Sequence, residues 1–467
     1  MIHPKSFQNM INISKTPSLN KFVKRIEYEA TTFDSMEHDE WREHLPMAGT
    51  VPPMPEHPGY PLTERSKRLY CRQLKAWDMN YGPGSQFTRQ ELHNGWNAYQ
   101  EIVDATEAIQ MNYGDFSLMN KVFRAFPNLS AIEFSISQTP SETLKAAYAP
   151  TLMPIPLDDI DRELTSALGL RYLTPLLLAL MYTGVKLTSF KAGIISWHAF
   201  HWPVNFSYHH WQTLGSPTVD FPWQMNPKEL TPAFSHLREF HVVFEPELVT
   251  DFNGRTTKTV LGQVLKSATS LESMHIEFKE RVFSSAFPPD QVLLDTLLGD
   301  VHWPRLKKLE VASIQVTEDY LVQHLKRHSK TLKTLKLGEM YLSHGVWASA
   351  FQRMRADLRL TSVAFEGTFS TMDDVDEDSN SITDDDEDDE DDDFYLNMDN
   401  LLPSDWRSIL PLGRRLKTYF LNDGFRCPLE TKETKAWLRS ERKKLPARSG
   451  VDGCWRDRVY NDGLKDI

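Results

Sequence analysis

The sequence is poor in cysteine, and this scarcity argues against two kinds of small stabilised domain. Three cysteines occur in 467 residues, at Cys71, Cys427 and Cys454, and no two of them form a C-x-x-C pair. Their odd number and wide spacing predict neither a disulfide framework nor a zinc finger. We therefore expect a reducing compartment, which means an intracellular location in the cytoplasm, the nucleus or both.

The sequence also lacks an apolar run long enough for a signal peptide or a membrane span. Its first residues, MIHPKSFQNMINIS, contain no continuous apolar segment. The most apolar stretch, Leu168 to Val185, is interrupted by Arg171, Pro175 and Gly184. It is too short to cross a bilayer and predicts instead a buried amphipathic helix, part of a long helix from about 157 to 182. We expect no membrane partner.

Two further absences concern catalysis and nucleic acids. The sequence has no phosphate-binding loop, nucleophile elbow, H-E-x-x-H helix or kinase signature. Its formal charge is −12, but 15 acidic residues and no basic one lie between Asp373 and Asp393, so the remainder carries −12 + 15 = +3. A nearly neutral remainder is unlike the basic field of nucleic-acid binders. We expect a protein that is not an enzyme, needs no cofactor and binds no nucleic acid.

What the sequence does contain is a repeated apolar spacing of the form L-x-x-L-x-L. From Leu237 onward the first positions of successive repeats are 34, 35, 26 and 28 residues apart, near the period of leucine-rich repeats. The clear examples are Leu129-Ile132-Phe134, Leu237-Phe240-Val242, Leu271-Met274-Ile276, Leu306-Leu309-Val311, Leu332-Leu335-Leu337 and Leu360-Val363-Phe365. Weaker ones are Val23-Ile26-Tyr28, Leu187-Phe190-Ala192 and Leu416-Tyr419-Leu421.

This spacing predicts one strand and one helix per repeat. Side chains alternate faces along a strand, so Leu309 and Val311 point inward while Lys308 and Glu310 point outward. Leucines at helical spacing precede the strands and supply the opposite wall. The predicted fold is α/β: an irregular leucine-rich-repeat solenoid with a parallel concave sheet, outer helices and a helical insertion near the N-terminus. A doubly wound sheet is the alternative, and no G-x-G-x-x-G follows any predicted strand to support it.

The repeats divide the chain into six predicted parts. A Pro-rich loop interrupts the period after the first repeat, and helices are predicted around 63–77 and 88–108. The second of these carries an apolar stripe that includes Trp96 and Tyr99. The parts are a first repeat-like unit at 1–30, a helical insertion at 31–120, the repeat array at 121–370, a disordered acidic tract at 371–399, a last repeat-like unit at 400–425 and a C-terminal tail at 426–467.

The opening PKSFQNMINISKTPSLNKFVKRIEYEATTFD, the AFPNLSAIEFS at 125–135 and the later repeats together resemble the fungal F-box/leucine-rich-repeat-like proteins. The resemblance implies an F-box that docks to a Skp–cullin ubiquitin ligase and repeats that hold the substrate. The leucine- and proline-rich F-box pattern itself does not occur here. Three explanations stay open: the box was lost, it lies upstream of Met1, or the protein works without a ligase.

Outward strand positions are the predicted partner-binding residues, because the inward ones only build the core. They are Glu239, His241, Ser273, His275, Lys308, Glu310, Thr334 and Lys336. Parallel pairing would place His241 and His275 roughly 5 Å apart, either as two solvated side chains or as a pair of metal ligands. Glu310 and Lys336 have opposite signs and are expected to pair across neighbouring strands.

The segment WHAFHWPVNFSYHHW, at 197–211, crowds aromatic side chains and histidines together. A metal site, a packed insertion and a protein-contact loop are the three interpretations. The candidate contact residues are Trp197, His198, His201, Trp202 and Trp211.

The acidic tract also has three interpretations: a solvated spacer, a docking strip for a basic partner, or a regulatory segment phosphorylated at Ser381 and Thr383. For the whole protein we expect a protein-binding repeat scaffold, with substrate selection for a ubiquitin ligase implied by the resemblance. The alternatives are a histone- or basic-protein-binding acidic leucine-rich-repeat protein and a leucine-rich GTPase activator.

Overall fold

A computed structural model of the chain describes residues 4–30, 36–46, 72, 82, 84–110, 114–135, 142–153, 162–196, 200, 227–245, 261–279, 293–371, 395–397, 412–422 and 427–430. Its centre is a sheet in which nine strands pair in parallel and a tenth pairs antiparallel. The strands are β1 Arg25–Glu29, β2 Ala131–Ser135, β3 Ser189–Ser196, β4 Glu239–Glu245, β5 Ser273–Phe278, β6 Lys308–Ala312, β7 Gln315–Thr317, β8 Thr334–His344, β9 Ser362–Thr371 and β10 Tyr395–Asn397.

Helices pack around this sheet and complete its core. The described helices are α1 Pro4–Ser14, α2 Pro17–Asn20, α3 His38–Glu43, α4 Arg89–Gln110, α5 Gly114–Ala125, α6 Glu142–Tyr148, α7 Arg162–Thr183, α8 Thr231–Phe234, α9 Leu261–Leu265, α10 Leu294–Leu298, α11 Glu318–Arg327, α12 Trp347–Asp357 and α13 Leu412–Leu421. Short 3-10 turns lie at Ala149–Thr151, Pro227–Leu230 and Pro428–Glu430. The α/β class and the parallel sheet predicted from the spacing are thus confirmed.

The order of strands across the sheet follows the order along the chain. It runs from β1 to β6 and then through β8, β9 and β10, with β7 beside β8. Each L-x-x-L-x-L triplet from Leu129 to Phe365 places its last two members on a strand, facing the core. In β6, for example, Leu309 and Val311 are buried while Lys308 is exposed. The apolar spacing therefore fixes both where a strand lies and which of its faces is covered.

Successive strands at the C-terminal end of the array bend at equivalent positions. Ser313, Glu339 and Gly367 all have positive φ, and the register between β8 and β9 shifts beside Gly338. One extra residue at such a bulge reverses the alternation of faces. Before the bend, the odd-numbered Leu309 and Val311 face the core. After it, the even-numbered Ile314 and Val316 face the core instead.

The predicted repeat triplet at Leu416, Tyr419 and Leu421 is wrong as a strand. These residues lie on α13, which packs against β9 and buries Leu412, Leu416 and Phe420. A spacing of three residues between apolar positions occurs both in an L-x-x-L-x-L triplet and on a helix face, so the triplet alone could not distinguish them.

The apolar segment before β3 also differs from its prediction. Helix α7 is described from Arg162 to Thr183, and every residue from Tyr172 to Leu180 is buried. The expected amphipathic pattern is therefore wrong, because α5 and β3 pack against α7 and leave this segment no solvent-facing side. None of the helices in the described ranges is long and apolar enough to cross a membrane.

The predicted insertion at 31–120 contributes to a second, smaller apolar cluster. Trp41 of α3 and Tyr99 and Val103 of α4 are buried there, together with Tyr148 and Met153 from beyond the predicted insertion. The predicted stripe of α4 therefore does pack inward. The helix predicted at 63–77 lies outside the described residues except for Arg72.

A cluster of aromatic rings and histidines lies in the core between α10 and α12. Trp303 is fully buried, and its ring stacks on His328 with centroids 5.8 Å apart. The backbone N–H of Trp303 donates to Nε2 of His328 (3.0 Å), while Nδ1 of His328 donates to the carbonyl oxygen of His324 (2.9 Å). These two bonds fix His328 as the neutral Nδ1–H tautomer.

His324 is neutral for a related reason. Its side chain has no solvent exposure, and its Nε2 has no hydrogen-bond partner. The hydroxyl of Tyr320 donates to the carbonyl oxygen of Gly299 (2.6 Å), so Nδ1 of His324 donates to that hydroxyl, 3.4 Å away. Burial lowers the pKa of His324 to about 3 and that of His328 to about 4.

Candidate functional site

The eight outward residues predicted from the repeats lie together on one side of the sheet. They form two rows across β4, β5, β6 and β8, because the parallel register pairs equivalent positions of neighbouring strands. The first polar row is Glu239, Ser273, Lys308 and Thr334, and the second polar row is His241, His275, Glu310 and Lys336. All eight are partly or fully exposed, and we call this side the polar face.

Two stacked imidazole rings occupy the middle of the second polar row. The ring centroids of His241 and His275 are 4.0 Å apart and their planes are inclined by only 6°. The sequence predicted close neighbours at this position, and the register confirms it. The expectation of two solvated side chains is wrong, because both residues are partly buried by each other and by neighbouring carboxylates.

Two carboxylates hold His275. Its Nδ1 lies 2.8 Å from Glu310 Oε2 and its Nε2 lies 3.2 Å from Glu277 Oε2. Burial alone would lower the pKa of His275, but the hydrogen bonds and charges of Glu277 and Glu310 outweigh it and raise the pKa. His275 is thus protonated to a larger extent at neutral pH than a free histidine.

The neighbouring ring behaves in the opposite way. Burial and the adjacent His275 lower the pKa of His241 to about 4, so His241 is neutral near pH 7. The stack therefore joins an uncharged ring to one that favours the imidazolium form. Protonation of both rings would place two like charges 4.0 Å apart, and this repulsion adds to the effect of burial on His241.

The predicted pairing of Glu310 with Lys336 is wrong. The two residues are register partners, but Lys336 Nζ forms its ion pair with Glu366 (2.7 Å) and Glu310 Oε1 with Lys308 (2.8 Å). Lys336 reaches diagonally to Glu366 on β9, and Lys308 lies two residues before Glu310 on the same strand, contacts that register alone does not determine. These partly exposed pairs contribute about 0.2–1 kcal/mol each.

The first polar row continues toward β3 through contacts that the sequence did not predict. Glu239 accepts a hydrogen bond from Ser189 Oγ (3.1 Å) and lies 3.8 Å from Lys191 Nζ. Glu277 and Glu366 were missed because they lie two residues beyond the predicted rows. Extending the alternation by one position along β5 would have found Glu277, whereas Glu366 lies on β9, a strand outside the predicted rows.

The other predicted site residues lie outside the described residues. These are Trp197, His198, His201, Trp202 and Trp211 of the aromatic segment and Ser381 and Thr383 of the acidic tract. Phe200, which is described, is fully buried against Phe240 and Phe244. Within the described ranges, no group of three or more His, Cys, Asp or Glu side chains could hold a metal ion. Within these ranges His241 and His275 form a stacked pair.

No family model matches the sequence, and no curated protein matches it significantly.

Proposed function

We propose that this protein is a binding scaffold of the leucine-rich-repeat class that recognises a partner protein through its polar face. The observation that carries the proposal is the continuity of the two polar rows. Eight polar residues from four separate stretches of sequence lie side by side, opposite the covered core. With strands about 4.8 Å apart, four strands span about 15 Å, which suits an extended surface rather than a pocket.

The strand order supports the repeat class over a doubly wound sheet. In a doubly wound sheet the order reverses at a switch point, where ligands bind. Among the described parallel strands the order advances from β1 to β9 without such a reversal. Stacked repeats produce this pattern because each unit buries its apolar face against the previous one.

The electrostatics of the polar face also favour a protein partner. Its ion pairs are partly exposed and individually weak, so a partner's side chains can replace them at low cost. The stacked histidines supply a flat ring surface among these charges. Specificity would then depend on many ordinary residues rather than on one reactive group.

Site-specific crosslinking tests this proposal. A photoreactive amino acid placed at Thr334, on the polar face, should give discrete partner adducts in cell extract. The matched control is the same amino acid at Gln323, which is exposed on α11. Adducts at Thr334 should be lost in a Lys336→Glu background, which reverses a charge of the second polar row. Equal adducts at both positions, or adducts at Thr334 that persist unchanged in that background, would refute recognition through the polar face.

Substrate selection for a Skp–cullin ubiquitin ligase is the specific form of this function that we propose from the family resemblance. Affinity purification of the full chain should then recover Skp–cullin subunits together with a substrate that depends on the polar face. Recovery of histones without ligase subunits would favour a basic-protein binder instead. Acceleration of GTP hydrolysis by a co-purifying GTPase would favour the alternative that the protein is a leucine-rich GTPase activator.

A further inference from the structure

The edge of the sheet at which the strands begin is separate from the polar rows and carries its own pattern of charge. Backbone hydrogen bonds of 2.8 Å run from Glu272 N to Arg238 O, from Lys307 N to Glu272 O and from Lys333 N to Lys307 O. These four residues therefore lie side by side, each directly before the first residue of a neighbouring strand. Three of them are basic.

Five exposed cations near this edge form no salt bridge with a carboxylate of the described residues. We call them the basic rim: Arg238, Arg305, Lys330, Lys333 and Arg359. The acidic residues near them are already paired with other cations: Glu239 with Lys191, Glu272 with Lys307, Asp300 with Arg327 and Asp357 with Lys326. The rim thus has an excess of positive charge that the described chain does not neutralise.

Glu272 shows that this edge can hold a carboxylate. Lys307 Nζ lies 2.7 Å from Glu272 Oε2. The hydrogen bond and charge of Lys307, with further help from Arg238 and Arg305, lower the pKa of Glu272. Two rim cations therefore already act on an anionic side chain that lies among them.

We propose that the basic rim is a second interaction surface, which binds an Asp/Glu-rich segment of another protein. A peptide is favoured over a single-stranded nucleic acid because proteins that bind single strands stack the bases on exposed aromatic rings. From Arg238 to Arg359, the described residues include no exposed Phe, Tyr or Trp.

The chain's own acidic run provides the appropriate probe. Residues 373–393 contain 15 acidic residues and no basic one. They connect Thr371 to Tyr395 at the edge of the sheet where the strands end, and β9 lies between that edge and Arg359. Because Thr371 and Arg359 lie toward opposite ends of β9, the test supplies this sequence as a separate peptide.

The test measures binding of a fluorescent peptide with the sequence of residues 372–394 to the full-length protein. The rim variant carries Arg305→Gln, Lys333→Gln and Arg359→Gln. Its matched control carries Lys121→Gln, Arg414→Gln and Lys417→Gln, which remove the same charge from exposed helix positions. We expect affinity to fall on the order of tenfold in the rim variant and less than twofold in the control, with unchanged melting temperatures. Raising the salt concentration should weaken binding to the wild type more than to the rim variant.

Three outcomes would overturn the proposal. The first is equal affinity of the two variants for the peptide. The second is equally tight binding of a control peptide in which Asn and Gln replace Asp and Glu. The third is tighter binding of a single-stranded oligonucleotide of equal charge. Self-association that deletion of residues 372–394 abolishes would identify a second copy as the partner and overturn the assignment to another protein.

Discussion

Acid should weaken this fold through the two buried histidines, His324 and His328. Both have folded-state pKa values below the ordinary value of 6.5, at about 3 and about 4. The unfolded chain therefore binds protons below pH 6.5 that the folded chain rejects. Their contribution to stability is fully present above pH 6.5 and is lost as the pH falls toward the folded values.

The magnitude follows from the linkage relation. Between pH 7 and pH 5, each histidine should lower the free energy of unfolding by about 2 kcal/mol, and the two together by about 4 kcal/mol. Geometry supports this size. A proton on His328 Nε2 would oppose the N–H of Trp303, and a proton on His324 Nε2 would meet no acceptor.

Urea denaturation at pH 7, 6 and 5, followed by tryptophan fluorescence, measures the effect. The variant His324→Leu removes one titrating group and leaves an apolar side chain where Nε2 had no partner. Between pH 7 and pH 5, the free energy of unfolding of this variant should fall by about 2 kcal/mol less than that of the wild type. The control Leu325→Val, at an equally buried position on the same helix, should lower stability by a similar amount at every pH. An identical pH dependence in the wild type and His324→Leu would refute the reasoning.

Three other changes test the packing and charge arrangement. Gly262→Ala should destabilise by about 1–3 kcal/mol, measured as a lower midpoint of urea unfolding, because the added Cβ would overlap the carbonyl oxygen of Leu298 in the next repeat. Glu318→Gln should lower the free energy of unfolding by about 1–3 kcal/mol in the same assay, because its carboxylate accepts hydrogen bonds from the backbone N–H of Val346, the N-cap of α12, and from the Ser349 hydroxyl. Its control, Asp319→Asn, is an exposed neighbour of the same charge and should change stability by less than about 0.5 kcal/mol. His275 has a raised pKa, so its pairing stabilises fully below pH 6.5 and is lost as the pH rises through its folded pKa. His275→Gln should therefore flatten the decline in stability between pH 6 and pH 8, and an unchanged decline would contradict the assignment.

Much of the sheet could be predicted because one spacing encodes both a strand and its buried face. The triplets from Leu129 to Phe365 all lie where the spacing predicts a strand, and their common register correctly predicts that His241 and His275 are neighbours. The prediction failed at Leu416, where helix and repeat spacings coincide. It also failed for α7, because burial on all sides depends on which elements surround a helix.

The candidate site was predictable in its positions but not in its pairings. Register placed Glu310 beside Lys336, yet the ion pairs formed are Glu310 with Lys308 and Lys336 with Glu366. Glu277, the second carboxylate that hydrogen-bonds to His275, lies on the same strand as His275 and was not among the predicted residues. Rotamers and diagonal neighbours decide such contacts, and neither can be derived from spacing along the chain.

The sequence by itself determined the inward and outward sides of each strand, because an apolar residue at every second position must be covered to be stable. It also determined that negative charge is concentrated in one run rather than spread over the protein. Tertiary structure alone decided which histidines have a lowered pKa and which has a raised pKa. His324 and His275 are the same residue type, and their pKa values diverge because one lies in the core without an acceptor for a second proton and the other lies between two carboxylates. Their proton affinities depend on desolvation and on charges brought close by the fold, and both are set by residues far away in the sequence.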